Sequence, residues 1–221
     1  MIRMPAYQTV IFDLDGTLLD VLEDLTDSTN HVLALHGLPL RSAEEVRSFM
    51  GNGVRHLIHQ AVPAGTSPET EALCLEEFLA YYTQNMENKT TPYPGILALL
   101  DTLEAHGVQR AVVSNKIDGA VKALCQSYFG SRIPVAIGES ENVARKPAPD
   151  TALRALKDLG ADAAGAVYVG DSEVDIATAR NAGLPCISVS WGTRDRDLLL
   201  AHGPDRIVDS PEELLCVLLN G

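Results

Sequence analysis

Apolar positions fall into two rhythms along the chain. Val10-Ile11-Phe12 is a short apolar run that breaks abruptly into Asp13-Leu14-Asp15-Gly16-Thr17, the pattern of a buried strand ended by a turn. From Asp20 to Tyr93 the spacing changes to steps of three and four, and predicts helices only. Leu22, Leu25, Thr29, Val32, Leu33 and His36 form the first stripe, stopped by Gly37 and Pro39. Ser42 with Glu45 is a capping-box pair that opens a second helix. Gly51-Asn52-Gly53 interrupts the pattern before Val54–Val62 resumes it. A fourth helix follows Ser67-Pro68, with Leu73, Leu75, Phe78, Leu79 and Tyr82 as its expected apolar face. Thr91-Pro92-Tyr93-Pro94-Gly95 then reads as a connector.

Beyond Pro94 helices and strands alternate. Helices are expected over 96–106, 118–128, 149–159, 173–182 and 211–219, and strands over 108–113, near 134–137, over 166–169 and over 186–190. A weaker helix and strand precede the last helix. Strands joined by helices of this length imply right-handed crossovers and an α/β fold with a doubly wound parallel sheet. The expected division is a core of residues 1–19 and 94–221, with residues 20–93 inserted as a helical cap over the strand ends. The connections near Leu18–Asp20 and Tyr93–Gly95 are the expected hinges.

Composition narrows the possibilities without choosing among them. The 221 residues are 46% hydrophobic and 21% charged, an ordinary globular balance. A formal net charge of −13 argues against nucleic acid or an anionic membrane surface as partner. An anionic substrate would have to be held by a few local cations and by metal. No apolar run approaches the roughly 20 residues of a membrane span, and Met1–Gln8 carries neither a basic start nor an apolar signal core. Cys74, Cys125, Cys186 and Cys216 are scattered, without a Cys-x-x-Cys pair, and read as reduced, mostly buried thiols. The expectation is a cytoplasmic protein.

Chemistry concentrates where strands are expected to end, the place where open parallel sheets bind ligands. Asp13 and Asp15 end the first strand, and neighbouring carboxylates there persist most naturally with a cation between them or a shared proton. Ser114-Asn115-Lys116 follows Ala111-Val112-Val113, Arg145-Lys146-Pro147 follows the next short strand, and Gly170-Asp171-Ser172-Glu173-Val174-Asp175 follows Val167-Tyr168-Val169. Singly, each has a plain structural explanation: Ser114 as a strand-end cap, Lys146 as a solvated charge, Asp171 as the N-cap of the helix at Glu173. The six histidines share no ligand-like spacing.

Taken in order, Asp13-Leu14-Asp15-Gly16-Thr17, Ser114, Lys146 and Gly170-Asp171 through Asp175 resemble the four motifs of the haloacid dehalogenase-like superfamily, across the whole chain. The resemblance implies phosphoryl transfer in which Asp13 is the nucleophile and forms an aspartyl-phosphate, with Asp15 as general acid and base. It implies magnesium held by the Asp13 carboxylate, the Asp15 carbonyl and the Asp171 carboxylate, with Asp175 supporting and Gly16 allowing the turn. Thr17, Ser114, Asn115 and Lys146 are implied to bind phosphate or substrate. Asp15 argues against carbon–halogen chemistry, and Thr17 with Asn115-Lys116 is most similar to the phosphoglycolate phosphatase branch. In the cap, Gly51-Asn52-Gly53-Val54-Arg55 resembles that branch's substrate segment, making Asn52 and Arg55 candidates for binding phosphate or substrate, Arg55 by pairing with a substrate carboxylate; the plain alternative is an interhelix turn with a surface arginine. The implied partner is a small phosphorylated metabolite, the implied assembly a monomer or homodimer. The alternatives are a β-phosphoglucomutase-like phosphomutase, a phosphatase for pyrophosphate, sugar phosphates or nucleotides, and a binding module that keeps the fold without the chemistry.

Overall fold

The computed structural model describes residues 5–141 and 143–221; residues 1–4 of the expected core segment lie outside the described residues. Strands β1 (Thr9–Phe12), β4 (Gln109–Ile117), β5 (Val135–Glu139), β6 (Ala166–Gly170), β7 (Cys186–Val189) and β8 (Arg206–Val208) form, among the described residues, a six-stranded sheet in the order β5-β4-β1-β6-β7-β8, with every pairing parallel. The crossovers carry α5 (Ile96–Ala105), α6 (Asp118–Tyr128), α7 (Asp150–Leu159), α8 (Glu173–Ala182) and α9 (Arg196–His202), and α10 (Pro211–Asn220) ends the chain. From β1 the sheet grows outward to β4 and β5 on one side, then β6, β7 and β8 are laid down on the other. The strand order therefore reverses at β1, the switch point where such sheets open a crevice.

Val10, Ile11, Phe12, Ala111, Val112, Val113, Val167, Tyr168 and Val169 are essentially inaccessible to solvent. A parallel sheet covered on both faces needs such unbroken apolar runs, and they mark its three central strands. Ile11, Ala111, Val113 and Tyr168 pack in one cluster with Ala152 and Ala155 of α7 and Ile176 and Ala179 of α8. Each large side chain buried this way contributes about 1.5–3 kcal/mol.

The chain divides into two compact units: residues up to Leu19 with Pro92–Gly221, and Asp20–Thr91. The second unit holds α1 (Leu22–Leu35), α2 (Ala43–Phe49), α3 (Gly53–Ala61) and α4 (Pro68–Asn85), with α1 packed on α2 and α4, and α3 on the same two. Ser42 and Glu45 form the reciprocal capping box at α2. The expectation of helices alone is corrected at the two ends of the insertion, where β2 (Leu19–Asp20) and β3 (Thr91–Pro92) pair as a two-stranded sheet. No helix among the described residues is long and apolar enough to cross a membrane. Cys74, Cys125 and Cys186 are buried and Cys216 is exposed, all free thiols.

Two further expectations are corrected. In α4 the buried stripe is Cys74, Phe78 and Tyr82, and Leu73 is 49% exposed. One residue on a helix is a rotation of about 100°, so choosing Leu73 over Cys74 turns the face away from its neighbours. Strand β4 does not stop at Val113 but continues through Ser114, Asn115 and Lys116 to pair Ile117 with Glu139, across a register irregularity. Apolar runs report burial, whereas backbone pairing continues wherever a partner strand lies alongside.

Within the inserted unit, the buried Asp24 carboxylate accepts hydrogen bonds from Lys89 N (3.1 and 3.0 Å) and Thr90 N (2.8 Å), fixing the end of the unit to its first helix. Asp24→Ala leaves those amides without their acceptor, and the expected cost is about 1–3 kcal/mol of unfolding free energy in a urea titration. A change below about 0.5 kcal/mol, within the range of an ordinary surface substitution, would contradict the assignment.

Candidate active site

Register brings the polar strand ends together. Phe12 lies opposite both Val112 of β4 and Val169 of β6, so the residues that follow these three emerge at one edge of the sheet. Asp13 N donates to Val169 O at 2.8 Å, extending the ladder one step beyond β1. Asp13, Asp171 and Asp175 each bring a carboxylate oxygen within 4.8 Å of the other two, and all three are buried. Lys146 reaches into this group, with Nζ 2.7 Å from Asp175 Oδ1 and 2.8 Å from Asp13 Oδ1.

The three carboxylates are held differently. Asp175 is saturated: Oδ1 accepts from Lys146 Nζ and from Tyr168 Oη at 3.1 Å, and Oδ2 accepts from Ser172 N (3.1 Å) and Ser172 Oγ (2.6 Å). Asp171 Oδ1 accepts from Thr17 Oγ1 at 3.1 Å, and its Oδ2 from Thr193 N (2.7 Å) and Thr193 Oγ1 (2.5 Å). Asp13 Oδ1 is buried and pairs with the Lys146 ammonium.

Ser172, not Asp171, is the N-cap of α8, in a capping box with Asp175. This corrects the structural alternative for Asp171. The extended backbone of Ser172 starts the helix one residue later, and the Asp171 carboxylate turns to Thr17 and Thr193. Gly16 adopts φ +86°, and a Cβ there would meet Asp171 Oδ2 at 2.4 Å; turn and close approach both require glycine.

The remaining candidates are distributed as follows. The Asp15 carboxylate is gripped by Lys116 Nζ on both oxygens, at 2.9 and 2.7 Å. Ser114 is buried, and its Oγ accepts from Lys116 N at 3.2 Å. Asn115 Nδ2 donates to the Lys146 carbonyl at 3.0 Å, bracing the lysine's backbone. The Thr17 hydroxyl, expected on phosphate or substrate, donates to Asp171 Oδ1. Asn52 and Arg55 belong to the inserted unit, Asn52 as the residue preceding α3 and Arg55 exposed in its first turn. Sequence reasoning did not find the grip of Lys116 on Asp15, nor Tyr168, nor Thr193. The available signal for Thr193 was its position just after a predicted strand beside β6, whose loop must open at the same edge.

The family model for haloacid dehalogenase-like hydrolases matches residues 10–189, which include every one of these core positions except Thr193. The chain belongs to that family. A protein of Mesorhizobium japonicum named phosphoglycolate phosphatase is 37% identical to it over 85% of this chain and 84% of its own length. A protein of Pseudomonas aeruginosa named N-acetylmuramic acid 6-phosphate phosphatase is 35% identical over 96% of this chain and 94% of its own. A crystal structure from Lactobacillus delbrueckii subsp. bulgaricus, provisionally assigned as a phosphoglycolate phosphatase, superposes with a TM-score of 0.92 at 35% identity, covering 97% of this chain and 99% of that one.

In this hydrolase the electrostatics of the cluster favour an added cation. Burial, and then the nearby Asp175, push the Asp13 carboxyl well above the usual carboxylate range against the pull of Lys146. Burial alone would pull the Lys146 ammonium down, but Asp13 and Asp175 hold it well above an ordinary lysine. Burial and Asp175 raise Asp171 to about 6, opposed by its bonds from Thr193 and Thr17. Carboxylates outnumber the ammonium three to one. A hard divalent cation suits such an all-oxygen set.

The raised Asp171 carboxyl makes stability depend on pH. The folded state keeps this proton where the unfolded chain, titrating near 3.8, has released it, so stability falls as pH rises from about 4 to about 6. Unfolding titrations in chelator should show the drop in the native protein, and a drop smaller by on the order of 2–3 kcal/mol in Asp171→Asn. Equal drops in the two proteins would refute the shift.

Proposed function

We propose that this chain is a magnesium-dependent phosphatase that hydrolyses a small phosphomonoester, 2-phosphoglycolate first among the candidates, through an aspartyl-phosphate on Asp13. The observation that carries the reading is the Asp13 carboxylate at the end of the central strand, buried against Lys146 beside Asp171 and Asp175. In this reading Asp13 attacks phosphorus, and the bond to the leaving alkoxide breaks. Asp15 gives that alkoxide its proton and later takes one from the water that cleaves the aspartyl-phosphate, returning Asp13 and releasing phosphate. Lys116 orients the Asp15 carboxylate between these two duties. Lys146 faces the phosphoryl charge, and Ser114 with the Asn115 amide donates to its oxygens. The Asp13 and Asp171 carboxylates and the Asp15 carbonyl would hold magnesium, which when bound neutralises charge so that one anion can approach another.

Support for the substrate comes from the relatives' names, which point mainly to phosphoglycolate and in one case to a sugar phosphate. Asn52 and Arg55 are proposed as substrate selectors, Arg55 pairing with a substrate carboxylate. The protein is proposed to act in the cytoplasm on a small phosphorylated metabolite, as a monomer or homodimer.

Phosphate release from 2-phosphoglycolate, N-acetylmuramic acid 6-phosphate, other sugar phosphates, nucleotides and pyrophosphate tests the reading. Activity should be highest on phosphoglycolate and disappear with chelator or Asp13→Asn; Lys146→Met should lower it by roughly 100- to 1000-fold. Preference for another ester would overturn the substrate, and release unaffected by Asp13→Asn would overturn the mechanism. Arg55→Ala should raise KM for phosphoglycolate about tenfold, a loss of about 1.4 kcal/mol, with little change for an ester lacking a carboxylate. Equal effects on both esters would remove Arg55 from that role.

A further inference from the structure

The segment between β7 and α9 has no part in the steps above, yet it lies against the acidic cluster at several points. Ser190 N donates to Val208 O at 3.1 Å, tying the start of the segment to β8. Trp191 Nε1 donates to the Thr17 carbonyl at 3.1 Å, so the indole holds the turn that follows Asp13 and Asp15. Arg194 Nε pairs with Glu173 Oε2 at 2.9 Å, tying the far end to the first turn of α8. Between these anchors the backbone passes close to Asp171. A Cβ on Gly192 would stand 2.3 Å from Asp171 Cβ and 2.4 Å from the Gly16 carbonyl, so only glycine lets the chain lie there. The next residue, Thr193, gives both its amide and its hydroxyl to Asp171 Oδ2.

The geometry points to Thr193 as a positioning residue for divalent-cation binding: its two donors on Asp171 Oδ2, opposed by the Thr17 hydroxyl on Oδ1, fix the plane in which Asp171 offers its carboxylate to the metal. The inference rests on the reading of Asp171 as a metal ligand. A carboxylate bonded on one oxygen alone can swing about its last torsion, which is broad for aspartate. Bonded on both oxygens from opposite sides, it cannot turn without breaking charge-assisted bonds. Three donors also exceed what is needed to keep a buried carboxylate from being unsatisfied. The arrangement prepares Asp171 before any ion arrives, and outer residues that orient ligands in this way typically account for a 10- to 100-fold difference in metal affinity.

The test is direct titration of the purified, metal-free protein with Mn2+ and Mg2+ by calorimetry, which needs no turnover. Thr193→Val keeps the shape and the amide but removes the hydroxyl, and should weaken Mn2+ binding about tenfold. Thr193→Ser restores the hydroxyl and should bind within about threefold of the native protein. In steady-state assays the Mg2+ concentration giving half-maximal rate should rise by the same factor in Thr193→Val, with kcat at saturating Mg2+ within about threefold of native. Where Thr193→Val does not fold, Thr193→Ala removes the same hydroxyl with less bulk and is read the same way. A loss of less than about fivefold in the folded hydroxyl-free variant overturns the inference, as does Thr193→Ser falling as far as that variant. A native protein that binds neither ion overturns the metal-dependent reading itself, and the inference with it. Tight native binding matched by the hydroxyl-free variant overturns the inference alone.

Discussion

The Lys146 ammonium sits out of water between Asp13 and Asp175, 2.8 and 2.7 Å from their oxygens, and much of the site follows from keeping those charges tolerable. Moving an ion into such surroundings costs several kcal/mol, recovered only if the remaining polar atoms find good partners. Asp175 finds them fully, through Ser172 and Tyr168, and its own place at the start of α8 is set by the capping box with Ser172. Asn115 holds the Lys146 backbone from the adjacent strand. Asp13 Oδ1 is left with the Lys146 ammonium as its partner.

The same local excess of negative charge ties stability to chemistry. Burial and mutual repulsion push Asp13 and Asp171 upward, so without a cation the cluster works against the fold near neutral pH. The sheet tolerates this because the carboxylates stand at the ends of its most deeply buried strands, where the apolar packing of Phe12, Val112, Val169 and their neighbours is most complete. Rigidity below the site and strain within it are two sides of one arrangement, and functional sites commonly combine them.

Reaction and substrate rest on different grounds in this family member. The central strands and their loops carry a constellation suited to phosphoryl transfer whatever the ester. Two relatives of nearly equal identity, 37% and 35%, bear the names of different substrates, so overall likeness does not select between them. The exposed Arg55 and its neighbour Asn52, in the inserted unit, are where a discriminating contact is proposed.

Much of this molecule was written in local pattern. Helices α6 and α8 fall on the expected residues, the Ser42–Glu45 box caps α2, and the motif residues Asp13, Lys146, Asp171 and Asp175 do converge. Periodicity and capping reach only a few residues along the chain, and the sequence carries them directly. Which face of α4 is buried, and which residue caps α8, turned on a single position, finer than a hydrophobic pattern can resolve. The partners of the polar groups lay further still. Thr17 meets Asp171 across 154 positions, Lys116 meets Asp15 across 101, and Thr193 meets Asp171 from the far side of another strand. Those pairings are fixed by strand order and register in the sheet, so only the tertiary structure decides which carboxylate each hydroxyl or ammonium meets.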